Sequence, residues 1–234
     1  MSGGDWGRLT DEDVDRLTVS VLRPAWRARP ELRHIRLADE DAVVKDYGRR
    51  GNLFKRLLGA FLAQREAAAL RRAEGVPNVP RLLASPRPWM IVTEHIEAVP
   101  VTSPEAPALG PGFFARLSDL IDQLHARGIA HGDLEKLDNV LVTADGRPAL
   151  VDFAAAIMAG SNPLAALALP HVQESDRRGI SKLKAQQAPE LLSDAERCRL
   201  EHRSAAERWF RRLRHLVRRP VKALAVTGRE AGGL

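Results

Sequence analysis

One cysteine, Cys198, stands in the 234 residues. It has no partner within the chain, so an internal disulfide framework and a Cys-rich zinc site are both excluded. Long apolar runs are missing as well. None approaches the roughly 18 residues that a membrane-spanning helix needs, and the opening MSGGDWGRLTDEDVD lacks the basic-then-apolar order of an export signal. The expectation is a cytoplasmic chain stabilised by packing alone. Lysine is scarce, six against thirty arginines, which makes each lysine worth inspecting as a specific choice.

What is present suits a folded chain. Hydrophobic residues make up 44% and charged residues 28%, enough apolar content to bury a core and too much for a disordered tail; the length fits one large or two small domains. The net charge of +6 is unevenly placed. Residues 199–222 hold nine basic and two acidic residues, a local +7, and the remainder carries 27 basic and 28 acidic residues, or −1. A neutral body without a basic patch and interleaved aromatics argues against a nucleic-acid partner.

Three domains are expected: a strand-rich lobe over 1–97, a helical lobe over 98–198, and a basic tail over 199–234. RHIRLADEDAVVKDY (33–47) reads as two strands around an acidic turn, with Lys45 at a strand's end. Asn52–Glu74 has helical composition ended by Gly75 and Pro77, with Glu66 mid-helix. WMIVT (89–93) is a buried strand, followed by Glu94-His95-Ile96. Residues 98–112 look like a linker. From Phe113 to Arg127 the leucine and isoleucine spacing predicts an amphipathic helix capped by Gly128. Then come HGD (131–133), VLV (140–142), an Asp145-Gly146 turn and ALV (149–151), a hairpin with Asp152 at its exit.

Such a hairpin gathers oxygen-bearing side chains at one mouth, as phosphoryl transfer requires. HGDLEKLDNVLVTADGRPALVDF resembles the catalytic loop, hairpin and metal-binding triplet of the protein-kinase-like superfamily, in the form found in RIO-type kinases and aminoglycoside phosphotransferases. The whole string also resembles the small bacterial lipopolysaccharide core kinases. The resemblance spans residues 33–180 and implies an α+β, two-lobed protein-kinase-like fold with a minimal C-lobe, binding ATP and Mg²⁺ between the lobes. It implies Asp133 as catalytic base, Asn139 and Asp152 as magnesium ligands, and Lys45 as the phosphate-binding lysine with Glu66 as its helix partner. Glu94 and Ile96 fall where the backbone reads adenine. The γ-phosphate would pass to a hydroxyl, on a lipopolysaccharide core sugar or a protein Ser/Thr. A non-catalytic pseudokinase or membrane-peripheral scaffold is the alternative.

The chain departs from that pattern in several places. The fifth residue after Asp133 is Asp138 and the sixth is Asn139; Asn139 leads directly into VLV and is favoured as ligand, with Asp138 the fallback. Ala154 replaces the glycine of the triplet. No glycine lies between Gly7 and Gly48 to form a phosphate-cradling loop before Lys45. The stretch 153–175 has no threonine or tyrosine for a regulated activation segment, and Asp176 resembles the aspartate that opens a core helix and braces the catalytic loop. Ala188-Pro189-Glu190 reads as a plain helix start with proline near its first position. His131 is expected to buttress the loop rather than act as a base. In the tail, Trp209, Phe210, Leu213, Leu216 and Val217 share one face of a basic stretch, Arg208–Arg219. That stripe either packs on the helical lobe or lies on an anionic membrane surface, which leaves open a peripheral position at the inner membrane.

Overall fold

In a computed structural model, residues 6–25, 30–48 and 53–201 are described; the tail segment Arg208–Arg219 lies outside them. The described chain divides into two compact units. One comprises residues up to Gln64 with Leu83–His95, the other Arg65–Leu82 and the residues from Ile96 onward.

The first unit is built on a five-stranded sheet. Its elements are α1 (Asp11–Leu17), β1 (Thr18–Arg23), β2 (Glu31–Leu37), β3 (Glu40–Asp46), the first part of α2 (Leu53–Arg72), β4 (Leu82–Arg87) and β5 (Met90–Glu94). Sheet order is β1-β2-β3-β5-β4. Antiparallel β2 and β3 pair from Glu31↔Asp46 to Leu37↔Glu40. Ala38 and Asp39 turn the chain with φ of 50° and 64°, the paired left-handed conformation that matches strand twist in a two-residue hairpin. Ala42 and Val44 of β3 bury with Ile35, Met90 and Val92 against Trp6, Leu9 and Val14. Since side chains alternate along a strand, Lys45 projects to the face opposite that cluster, and it is buried there.

α1 was not anticipated. Its start is a capping box in which the Thr10 hydroxyl accepts from the Asp13 N–H at 3.1 Å and the Asp13 carboxylate accepts from the Thr10 N–H at 3.1 Å.

The second unit is mostly helical. It adds β6 (Ala98–Pro100), α3 (Pro111–Ala126), β7 (Ile129–Ala130), β8 (Val140–Thr143), β9 (Pro148–Leu150), β10 (Ile157–Met158), α4 (Pro163–Gln187) and α5 (Asp194–Glu201). The predicted stripe of α3 is buried through Leu117, Leu120, Ile121 and Leu124. Part of the expected linker is structured: β6 pairs with β8, Ala98 opposite Thr143. Asp176 does not open a helix but sits in the middle of one. Asn162 caps α4 by accepting from the Ala165 N–H at 2.8 Å and Pro163 takes a first-turn position, so the Ala-rich stretch before Asp176 is already helical. Pro189 starts a short 3-10 turn, Pro189–Leu191.

Candidate active site

Hairpin register fixes the first two oxygen-bearing groups. Val140 faces Leu150 and Val142 faces Pro148. One step further toward the mouth, the Val151 N–H donates to the Asn139 carbonyl at 3.1 Å. Asn139 therefore lies across from the residue before Asp152. Asp152 adopts a left-handed backbone, φ 69° and ψ 65°, a conformation costly for most L-residues that Asp tolerates and that recurs at functional positions. Directly after it, the N–H of fully buried Phe153 donates to Glu66 Oε1 at 3.2 Å. Arg65 Nε donates to the Ala156 carbonyl at 2.9 Å and its Nη2 to the Ala155 carbonyl at 3.2 Å. Two adjacent residues of α2 thus hold the segment that follows Asp152.

The loop carrying Asp133 is held from α4. Asp176, 1% exposed, accepts from the His131 N–H at 2.7 Å and the Gly132 N–H at 2.9 Å. Gly132 has φ 77°, and a Cβ there would lie 2.7 Å from the Ala155 carbonyl oxygen, so no other residue fits without strain. His131 Nε2 donates to the Val151 carbonyl at 2.9 Å and its ring lies 4.6 Å from that of Phe153, the buttressing role expected for it. One turn along α4, Gly179 lets the helix backbone approach Leu134, and Lys182 Nζ donates to the Glu135 carbonyl at 2.7 Å. Asn139 Nδ2 closes the loop by donating to the Asp133 carbonyl at 3.0 Å.

With its amide N–H group committed to Asp133, Asn139 has its Oδ1 left to face a cation. Lys136 Nζ lies 3.4 Å from that oxygen and 4.0 Å from Asp152 Oδ2. Asp138 is turned elsewhere: its exposed carboxylate accepts from the Thr102 hydroxyl at 2.6 Å. Among the described residues no group of three or more His, Cys, Asp or Glu side chains is placed to hold a metal ion. An amide oxygen and a carboxylate do suit magnesium, which takes one or two protein oxygens and completes its shell with water and substrate phosphates.

Glu66, Asp133, Asn139, Asp138 and Asp152 belong to the second unit. Lys45 and Glu94 belong to the first, on β3 and at the end of β5 opposite Ala42, and Ile96 follows in the second. Sequence reasoning missed Arg65 and Lys136. Arg65 carries no signal beyond its neighbour, whereas Lys136 is one of the few lysines in an arginine-rich chain.

The protein-kinase-like fold is shown by solved structures. The Rio2 kinase–ADP/Mg²⁺–phosphoaspartate complex from Chaetomium thermophilum aligns with a TM-score of 0.57 over 89% of this chain and 70% of its own, at 18% identity. A second Rio2 kinase structure from the same organism aligns with a TM-score of 0.57 over 94% and 76%, at 17% identity. No protein-family model matches the chain, and neither does any curated protein.

Proposed function

We propose that the chain is an ATP-dependent phosphotransferase that moves the γ-phosphate of ATP to a hydroxyl. The observation that carries this reading is the backbone pairing of Asn139 with Val151, which puts an amide oxygen and the Asp152 carboxylate at one hairpin mouth, beside the loop of Asp133. Asp133 takes the proton of the acceptor hydroxyl and orients its oxygen for attack. Asn139 and Asp152 hold magnesium, which when bound neutralises charge on the phosphate oxygens. Lys45 supplies a further positive charge for the triphosphate, in the partnership with Glu66 that the kinase resemblance implies. The backbone at Glu94 and Ile96 reads the adenine edge.

A lipopolysaccharide core sugar is the first acceptor and a protein Ser/Thr the second, both by resemblance. No helix among the described residues is long and apolar enough to cross a membrane. A peripheral membrane position rests on Arg208–Arg219 alone. The Rio2 complex contains a phosphoaspartate, which favours a second reading: transfer to an aspartate of this chain, followed by hydrolysis.

Radiolabel from γ-labelled ATP is followed into lipopolysaccharide, bulk protein and the chain itself. Transfer is expected with the wild type and should disappear with Asp133→Ala and with Asp152→Ala, while Lys45→Ala weakens ATP use. Hydroxylamine-labile label on the chain identifies the acyl phosphate. Thermal stabilisation by ATP and Mg²⁺ without any transfer would support the scaffold alternative, and full activity in the Asp152 variant would refute the assignment.

A further inference from the structure

We infer that Lys136 is a built-in competitor for the divalent cation, its ammonium holding the place between Asn139 and Asp152 until a metal ion displaces it. The inference rests on the phosphotransferase reading for the identity of the metal pair. Its own basis is local geometry. Residues Leu137–Asn139 form a 3-10 turn for which Lys136 is the N-cap, closed by the Asn139 N–H donating to the Lys136 carbonyl at 3.1 Å. Lys136 itself is extended, φ −90° and ψ 98°, and its side chain reaches back toward Asn139. From there its Nζ lies 3.4 Å from Asn139 Oδ1 and 4.0 Å from Asp152 Oδ2.

Exchange is favoured by the kind of contact this is. Both distances are long for a fixed hydrogen bond, and the lysine side chain is 36% exposed, so the amine can exchange into water with a modest loss of ion-pair energy. A guanidinium would instead fork onto the Asp152 carboxylate with two donors and leave reluctantly. The choice of lysine in a chain with thirty arginines and six lysines fits a cation meant to yield. A metal ion entering here has to replace a favourable ion pair and then tolerate a neighbouring positive charge. Both effects weaken metal binding to the protein alone.

The test is titration of the full chain with Mn²⁺ alone, following the free ion by electron paramagnetic resonance. A screened ion pair at the upper end of its range is worth about 1 kcal/mol, equivalent to about fivefold in affinity. Lys136→Met should therefore bind Mn²⁺ about fivefold more tightly than the wild type, and Lys136→Arg at or below the wild-type affinity. In the wild type, Mg²⁺ should shift the Lys136 amine resonance, a readout that needs no variant to fold. Equal or weaker binding by a folded Lys136→Met, or an unmoved amine resonance, overturns the inference. Asp152→Asn separates this from the parent reading: undiminished Mn²⁺ binding in that variant would remove the metal pair itself.

Discussion

Removing the Asp176 carboxylate is expected to release the loop that carries Asp133. The group is 1% exposed and accepts two backbone hydrogen bonds, from His131 at 2.7 Å and Gly132 at 2.9 Å, with His125 Nε2 a further 3.2 Å away. Asp176→Ala leaves both amides buried with no acceptor. At about 1–3 kcal/mol for each orphaned donor the loss is about 2–6 kcal/mol, and it is reduced because the variant no longer desolvates a carboxylate. A net loss of about 3 kcal/mol follows. With a urea dependence of about 2–3 kcal/mol per molar, the unfolding midpoint moves down by about 1 M. Far-ultraviolet circular dichroism is the probe, since α3 and α4 lie in this unit and Trp6 and Trp89 lie in the other. Asp176→Asn should fall between wild type and alanine, because the amide oxygen serves one N–H while its NH₂ faces the second. Amide exchange at Gly132 should accelerate in both variants. A midpoint within about 0.3 M of wild type, with Gly132 protection intact, would refute the bracing argument.

Two further outcomes test other parts of the fold. Gly179→Ala should lower the melting temperature, although alanine is the better helix former by about 1 kcal/mol. Its Cβ would lie 2.8 Å from the Leu134 carbonyl carbon and oxygen, and overpacking against backbone costs about 1–3 kcal/mol; a raised melting temperature in calorimetry would contradict that contact. In the first unit, hydrogen bonds from Arg36 and then His34 lower the Asp41 pKa to about 2 from 3.8, and those from Thr10 and then Arg16 lower Asp13 equally far. Lowered values mean that the stability from these groups is present above pH 3.8 and is lost as the pH falls toward 2. Asp41→Asn should flatten the dependence of the urea midpoint on pH across that window, followed by tryptophan fluorescence, and Asp13→Asn with Asp41→Asn should flatten it further. An unchanged slope would count against both carboxylates.

Much of the site was legible because it lies in a short stretch whose register local rules determine. Apolar VLV and ALV around Asp145-Gly146 specify a hairpin, and its register then places Asn139 across from Val151. The brace from Asp176 was legible as a role but not as a position. The cap of α4 lies well upstream in Ser161-Asn162-Pro163, and Pro170 within the helix disguises the continuity between them. The capping box at Thr10 and Asp13 is a signal for α1 that the sequence carries. Arg65 carries no signal of its own in the sequence, and Lys136 only its rarity among thirty arginines. Their roles depend on where long side chains end in space, which neither periodicity nor capping chemistry encodes.

The alanine at position 154, where the kinase resemblance expects a glycine, illustrates how a departure in sequence becomes intelligible in structure. Glycine is needed where φ must be positive or backbone must approach closely. Here the positive φ falls on Asp152, and Ala154 lies inside the short 3-10 turn Phe153–Ala155 without one. The turn is held at its start by Glu66 and at its end by Arg65 on the Ala155 and Ala156 carbonyls. β10 then pairs with β7, and α4 begins at Pro163. The turn at Phe153–Ala155 therefore has no position that requires a glycine. Its alanine is consistent with a triplet built in one conformation, and the absence of threonine and tyrosine from 153–175 fits the same design.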